Sequence, residues 1–254
     1  MEKILEAVKL TKIYNEGQLA STTALKEIDL EIYKGDFVCV MGPSGSGKTT
    51  LINCLSTLDK PTYGKVYING EDVSKMTSRV ISEYRYQNLG YIFQNNNLIE
   101  SMNVFDNIAM PLVLAKVNPK VIKEKVDELS KRLNIQHLLN HLPTQCSGGE
   151  KQRISIARAL ITNPKLIVAD EPTGNLDSKN SHELMSILKS LNEEGVTIVL
   201  VTHDSMIASY ATKFIYVHDG VIHTTLNRGE KDQQTFFNEI VNVNAGDYIQ
   251  MFFN

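Results

Sequence analysis

A chain of 254 residues, 42% hydrophobic and 22% charged, can bury a large core and has the composition of an ordinary globular protein. Its net charge of -3, without a dense Lys/Arg run, speaks against a nucleic-acid binder, which usually carries a basic stripe. The longest apolar stretch near the end, Val196 to Val201, is far too short to span a bilayer, and Met1 to Glu6 lacks the long apolar segment of a signal peptide, so a cytosolic chain is expected.

Residues 4–13 and 24–33 alternate in polarity and predict two strands, with a polar loop over 15–23 between them. Phe37 to Met41 is a short, continuously apolar strand, and 49–58 is helical. Between them lies Gly42-Pro43-Ser44-Gly45-Ser46-Gly47-Lys48-Thr49, a glycine, four residues, then Gly-Lys-Thr. Glycines let backbone N–H groups turn inward towards phosphates, and the helix N-terminus adds partial positive charge. In such a loop Lys48 reaches the β- and γ-phosphates and Thr49 offers its hydroxyl to Mg²⁺. A Gly-rich turn that binds nothing would need neither side chain.

Lys65 to Gly70 reads as strand and turn, 78–87 as helix, and Gly90 to Phe93 as a strand ending at Gln94. Residues 103–115 and 119–132 have helical periodicity, with Pro111 expected to kink or end the first. Ser147 to Thr162 is a further helix. Ser147 with Glu150 three residues on makes a capping box. The glycines Gly148 and Gly149 exceed what capping needs and suit close approach of backbone N–H groups to an anion.

The apolar strand Leu166 to Ala169 ends in Asp170 and Glu171. Asp170 at the tip would hold Mg²⁺ through water, and Glu171 would orient or deprotonate an attacking water. A helix over 178–194 precedes the strand Val196 to Val201, which leads to His203. Phe214 to Val217 is another strand, followed by Asp219-Gly220 as a hairpin turn. The tail from Asn227 is polar, then aromatic, with Phe236, Phe237, Tyr248, Phe252 and Phe253. The helical spacing of Phe236, Phe237 and Ile240 favours core packing over a partner site. Cys39 and Cys54 read as small core hydrophobes in a reducing compartment.

Apolar strands alternating with helices predict a parallel sheet, interrupted by an all-helical stretch over 95–159. The C-terminal ends of such strands converge on a ligand crevice, so Gln94, Asp170 and His203 should all face a nucleotide.

Together, Gly42–Thr50, Gln94, Cys146-Ser-Gly-Gly-Glu150, Leu166–Glu171, Asn175-Leu-Asp177 and His203 resemble, in order and over about residues 1–220, the nucleotide-binding subunit of an ABC transporter. The resemblance implies an α/β fold, a P-loop NTPase core with a parallel sheet. An ATP-binding core with an N-terminal antiparallel β subdomain would span 1–94 and 160–226. An inserted α-helical subdomain would take 95–159, and a C-terminal tail 227–254. It implies that Tyr14 stacks on adenine and that Gly42, Pro43, Ser44, Gly45, Ser46, Gly47, Lys48, Thr49 and Thr50 surround the phosphates. Thr49, Gln94 and Asp170 would serve Mg²⁺, with Gln94 also touching the membrane partner. Glu171 would be the catalytic base, His203 the switch on the γ-phosphate, and Gln94 a further catalytic contact to the water. Ser147, Gly148 and Gly149 would bind the ATP of the opposite subunit in a head-to-tail homodimer. Asp177 would join the dimer-communication loop, or else cap the next helix.

Cys146 and Glu150 depart from the usual Leu and Gln of the signature, and Glu150 adds negative charge near the site. The stretch Glu171-Pro-Thr-Gly-Asn-Leu-Asp177 resembles the branch of macrolide exporters, lipoprotein-release ATPases and bacitracin-type peptide-resistance transporters. The tail Leu226 to Phe237 is most similar to the peptide-resistance group, which pairs two ATPase subunits with one large permease and often works with a sensor kinase. The implied location is cytoplasmic, peripheral on the inner face of the membrane through that permease. A soluble non-transport relative would bring two cassettes or a coiled-coil insertion, and a phosphate-loop kinase would lack Ser147-Gly148-Gly149.

Overall fold

The computed structural model describes residues 2–17 and 20–253, with side chains through Gly246. The side chains of the tail aromatics Tyr248, Phe252 and Phe253 lie outside the described part.

Strands β1 (Lys3–Tyr14) and β2 (Thr22–Tyr33) pair antiparallel and join β4 (Tyr63–Ile68) and β5 (Glu71–Asp72) in a sheet of order β2-β1-β4-β5. The period-two pattern of these strands sends Leu5, Ala7, Leu10, Leu25, Ile28 and Ile32 into a buried face.

The second sheet holds β3 (Phe37–Met41), β6 (Leu89–Ile92), β7 (Leu166–Asp170), β8 (Thr197–Val201), β9 (Lys213–His218) and β10 (Val221–Asn227) in the order β10-β9-β3-β8-β7-β6. From β9 to β6 the pairing is parallel, and β10 returns antiparallel to β9. Every residue of β3 and β8 is buried, as expected for parallel strands covered on both faces. Alternation divides β3 between two cores. Val38 and Val40 pack with Leu51, Ile52 and Leu55 of α1 (Lys48–Leu55) and with the antiparallel sheet. Phe37, Cys39 and Met41 face a larger cluster on the other side.

That larger cluster joins the helical stretch to the sheet. It takes Ile108 and Leu112 of α3 (Val104–Leu114), Val126 of α4 (Pro119–Arg132) and Ile154 and Ala157 of α5 (Gly148–Leu160), together with Ile92, Ile167 and Leu200. Leu184 and Leu188 of α6 (Ser178–Glu193) complete it. Pro111 does not end α3, which runs to Leu114. A proline this close to a C-terminus removes one N–H but leaves its own carbonyl usable, and Ala115 N–H donates to it at 3.2 Å.

Helix α2 (Ser78–Asn88) precedes β6, and a single turn, α7 (Ser205–Ala208), follows β8. The tail forms α8 (Gln233–Phe253). Phe236 and Ile240 are fully buried in the larger cluster, so these two tail residues pack as core, while Phe237 is half-buried. Asn244 Nδ2 donates to Ser205 Oγ at 3.2 Å, tying α8 to α7. The Asp219-Gly220 turn closes the β9–β10 hairpin, and Gly220 N–H donates to Ser46 O at 3.1 Å.

Candidate active site

The strand order places the C-terminal ends of β6, β7, β8 and β3 side by side, and each leads into a polar residue or the glycine loop. From β3 the chain enters Gly42, whose φ of 152° suits glycine, and a Cβ there would lie 1.9 Å from Val217 O. The loop closes on α1, which begins at Lys48. Lys48 Nζ donates to Gly42 O (2.9 Å) and Pro43 O (2.7 Å). Partial burial holds its ammonium below the ordinary lysine value, against the pull of Glu171 and Asp170.

Thr49 Oγ1 donates to Asp170 Oδ1 across 3.4 Å. Burial pushes the Asp170 carboxyl up from the ordinary aspartate value, and the neighbouring Glu171 adds to this. A hydroxyl and a carboxylate beside a phosphate loop are hard oxygen donors, so the pair fits Mg²⁺. Glu171 stands in the left-handed region (φ 47°), which is uncommon for a residue with a side chain. Its N–H donates to Val201 O at 3.0 Å and its carbonyl accepts from Gly174 N–H at 3.1 Å, which hold the turn. The turn brings Glu171 Oε2 to 2.9 Å from His203 Nδ1.

Ser44, Gly45, Gly47, Lys48, Thr49, Thr50, Gln94, Glu171 and His203 line one cleft. Asp170 joins it through Thr49. Ser46 is buried beneath the loop rather than lining the cleft. Tyr14, at the end of β1, places its hydroxyl 3.4 Å from Thr50 Oγ1.

Ser147, Gly148, Gly149 and Asp177 form a separate group. Ser147 Oγ accepts from Glu150 N–H at 3.4 Å, and Glu150 Oε2 accepts from Ser147 N–H at 2.7 Å, closing the capping box of α5. That backbone N–H holds the Glu150 carboxyl below the usual glutamate range, so the added charge is directed at its own helix cap. A Cβ on Gly149 would lie 2.6 Å from Asn180 Oδ1, a packing reason for glycine beside the anion-binding one. Gly148 has more room, with Asn175 O at 3.7 Å from its Cβ position. Asp177 caps α6, accepting from Asn180 N–H at 2.8 Å and Asn180 Nδ2 at 2.9 Å.

Two further links join the groups. Asn175 Nδ2 donates to Gln94 O at 3.2 Å. The Arg158 guanidinium donates to Asn96 O and Asn97 O, each at 2.6 Å, fastening the loop after Gln94 to α5. Sequence reasoning passed over Arg158. Its partners are backbone carbonyls, which no sequence pattern marks.

The family model described as ABC transporter matches residues 25–174. The chain is 44% identical over 244 residues to the ABC transporter ATP-binding protein YxdL of Bacillus subtilis, spanning 96% of this chain and 94% of that protein. It is 43% identical over 239 residues to the bacitracin export ATP-binding protein BceA of Halalkalibacterium halodurans, spanning 94% of each. Its fold is similar to the dimeric structure of a post-hydrolysis state of an ATP-binding cassette bound to ADP and Pi, with a TM-score of 0.82 and 38% identity over 88% of this chain and 98% of that one.

Proposed function

The chain belongs to the ABC transporter family as an ATP-binding subunit with ATPase activity coupled to transport, and we propose a residue-level mechanism and a cargo class for it. The observation that carries the mechanism is the meeting of Lys48, Thr49, Gln94, Glu171 and His203 on one cleft, which Ser147, at the N-cap of α5, does not line. A site made of two separated parts is completed by a second copy, head to tail.

In this reading Lys48 and the backbone N–H groups of the loop neutralise the phosphates. Thr49 and Asp170, with Gln94 near by, would hold Mg²⁺, which when bound neutralises developing phosphate charge. Glu171 Oε accepts the proton of the attacking water, and His203, fixed through Nδ1, presents its other ring nitrogen to the γ-phosphate. Ser147 and the free N–H groups at the start of α5 meet the γ-phosphate held by the other copy. Tyr14 stacks on the adenine.

No helix among the described residues is long and apolar enough to cross a membrane. A membrane permease is the partner, and we place the chain on the inner face of the membrane through it. The likeness to a bacitracin export protein supports peptide antibiotics as the cargo class. The names of the relatives add nothing to the expected sensor kinase. Deleting the gene tests the cargo: sensitivity to bacitracin should rise, whereas sensitivity to macrolides alone would redirect the reading. Light scattering of the purified Glu171→Gln chain tests the sandwich, since Mg-ATP should convert monomer to dimer.

A further inference from the structure

We propose that Asp59 and Lys12 form a positioning pair that holds the Tyr14 ring in place for the purine base. The proposal rests on the reading of Tyr14 as the base-stacking aromatic. Tyr14 is 38% exposed at the end of β1, where a free tyrosine would sample several rotamers. Instead its hydroxyl donates to Asp59 Oδ2 at 3.1 Å. The other carboxylate oxygen, Oδ1, accepts from Lys12 Nζ and from Lys60 N–H, both at 2.7 Å. Lys12 Nζ also donates to Lys60 O at 2.9 Å, and its ammonium stands 5.0 Å from the centre of the Tyr14 ring. The ring is therefore held at its hydroxyl edge and covered on one face by a cation. A base stacks on the other face.

The pair also links the base to the phosphates. Asp59 N–H donates to Asn53 O at 3.0 Å, so the carboxylate is anchored to α1, the helix whose first turn carries Lys48 and Thr49. Thr50 of that first turn lies 3.4 Å from the Tyr14 hydroxyl. Lys12 and Asp59 are largely shielded, with side chains 13% and 30% exposed, which strengthens the pair relative to a surface one. Partial burial opposes ionisation of Asp59, but the Lys12 ammonium, the Lys60 N–H and the Tyr14 hydroxyl together hold its carboxyl below the ordinary aspartate value.

Calorimetric titration of the purified Glu171→Gln chain with ATP and with inorganic tripolyphosphate tests the pair. Asp59→Asn and Tyr14→Phe, which keep the side-chain volume but loosen the tether, should weaken ATP binding about 3- to 10-fold and leave tripolyphosphate binding unchanged. In a Tyr14→Ala background, Asp59→Asn should add nothing to the loss. An equal loss for both ligands would overturn the proposal by making Asp59 a brace for α1. Weakening by Tyr14→Ala without weakening by Asp59→Asn would overturn it too, while leaving the stacking reading intact. If Tyr14→Ala binds ATP as well as the parent chain, the stacking reading itself falls.

Discussion

His203 Nδ1 stands 2.9 Å from Glu171 Oε2, joining the polar residues that follow the neighbouring parallel strands β8 and β7. Glu171 is mostly shielded at 15% side-chain exposure, while His203 is 72% exposed. The carboxylate is thus held in place by its turn and by the imidazole, which is itself largely exposed.

Replacing Glu171 by Gln keeps the shape and a hydrogen-bonding oxygen but removes the carboxylate proposed as the proton acceptor. ATP should still bind, and steady-state phosphate release should fall by about 10²- to 10⁴-fold, the range for loss of general-base catalysis. Phosphate release near the parental rate would remove Glu171 from the base role.

Asp170 makes an opposite prediction for stability and for activity. Its carboxyl is raised, so the folded state disfavours the ionised form. The stabilisation from the protonated form is present at low pH and is lost as pH rises through the folded pKa. Without metal, Asp170→Asn should therefore melt at or above the parent chain at neutral pH, with the gap closing towards acid. The same variant should lose the Mg²⁺ dependence of ATP binding. Thermal melts across pH in chelator, together with ATP titrations with and without Mg²⁺, measure both. A variant that melts well below the parent would show the carboxylate to be needed for folding.

Ser147→Ala should cost about 1 kcal/mol of stability through the lost N-cap. Hydrolysis should fall much further, while nucleotide binding to the monomer is spared, because the capping-box bonds of Ser147 run to Glu150 and not to the Gly42 loop. Urea melts, ATPase assays and binding to the dilute monomer separate the three effects. Weakened monomer binding would place Ser147 in its own chain's site.

Phe236 is fully buried in the cluster that includes β9 and the helical stretch. Phe236→Ala should lower the unfolding free energy by about 3–5 kcal/mol, measured by urea denaturation. A loss below about 1 kcal/mol would make α8 an appendage rather than part of the core.

The strands that frame the site were legible because parallel strands covered on both faces leave continuous apolar runs, as in Phe37 to Met41 and Leu166 to Ala169. The glycine loop was legible because its lysine, threonine and glycines are adjacent in sequence. The length of α8 was not, because beyond Phe236 and Ile240 its spacing carries no clear apolar stripe. Helix α7 is one turn long, too short for periodicity to register. The left-handed turn at Glu171 and the Tyr14–Asp59 contact depend on tertiary neighbours, so neither left a local pattern. The Cβ clash at Gly149 with Asn180 was hidden for the same reason, which is why its glycine read as an anion site alone.

The β9–β10 turn presses on the phosphate loop from behind, through Val217 O against Gly42 and Gly220 N–H on Ser46 O. Mutational tolerance at the far end of the chain is therefore tied to that of the motif itself. A side chain added at Gly220, whose φ is 79° and whose Cβ would lie 2.8 Å from Ala24 O, would register in a screen as a nucleotide-binding defect, although Gly220 itself does not line the cleft.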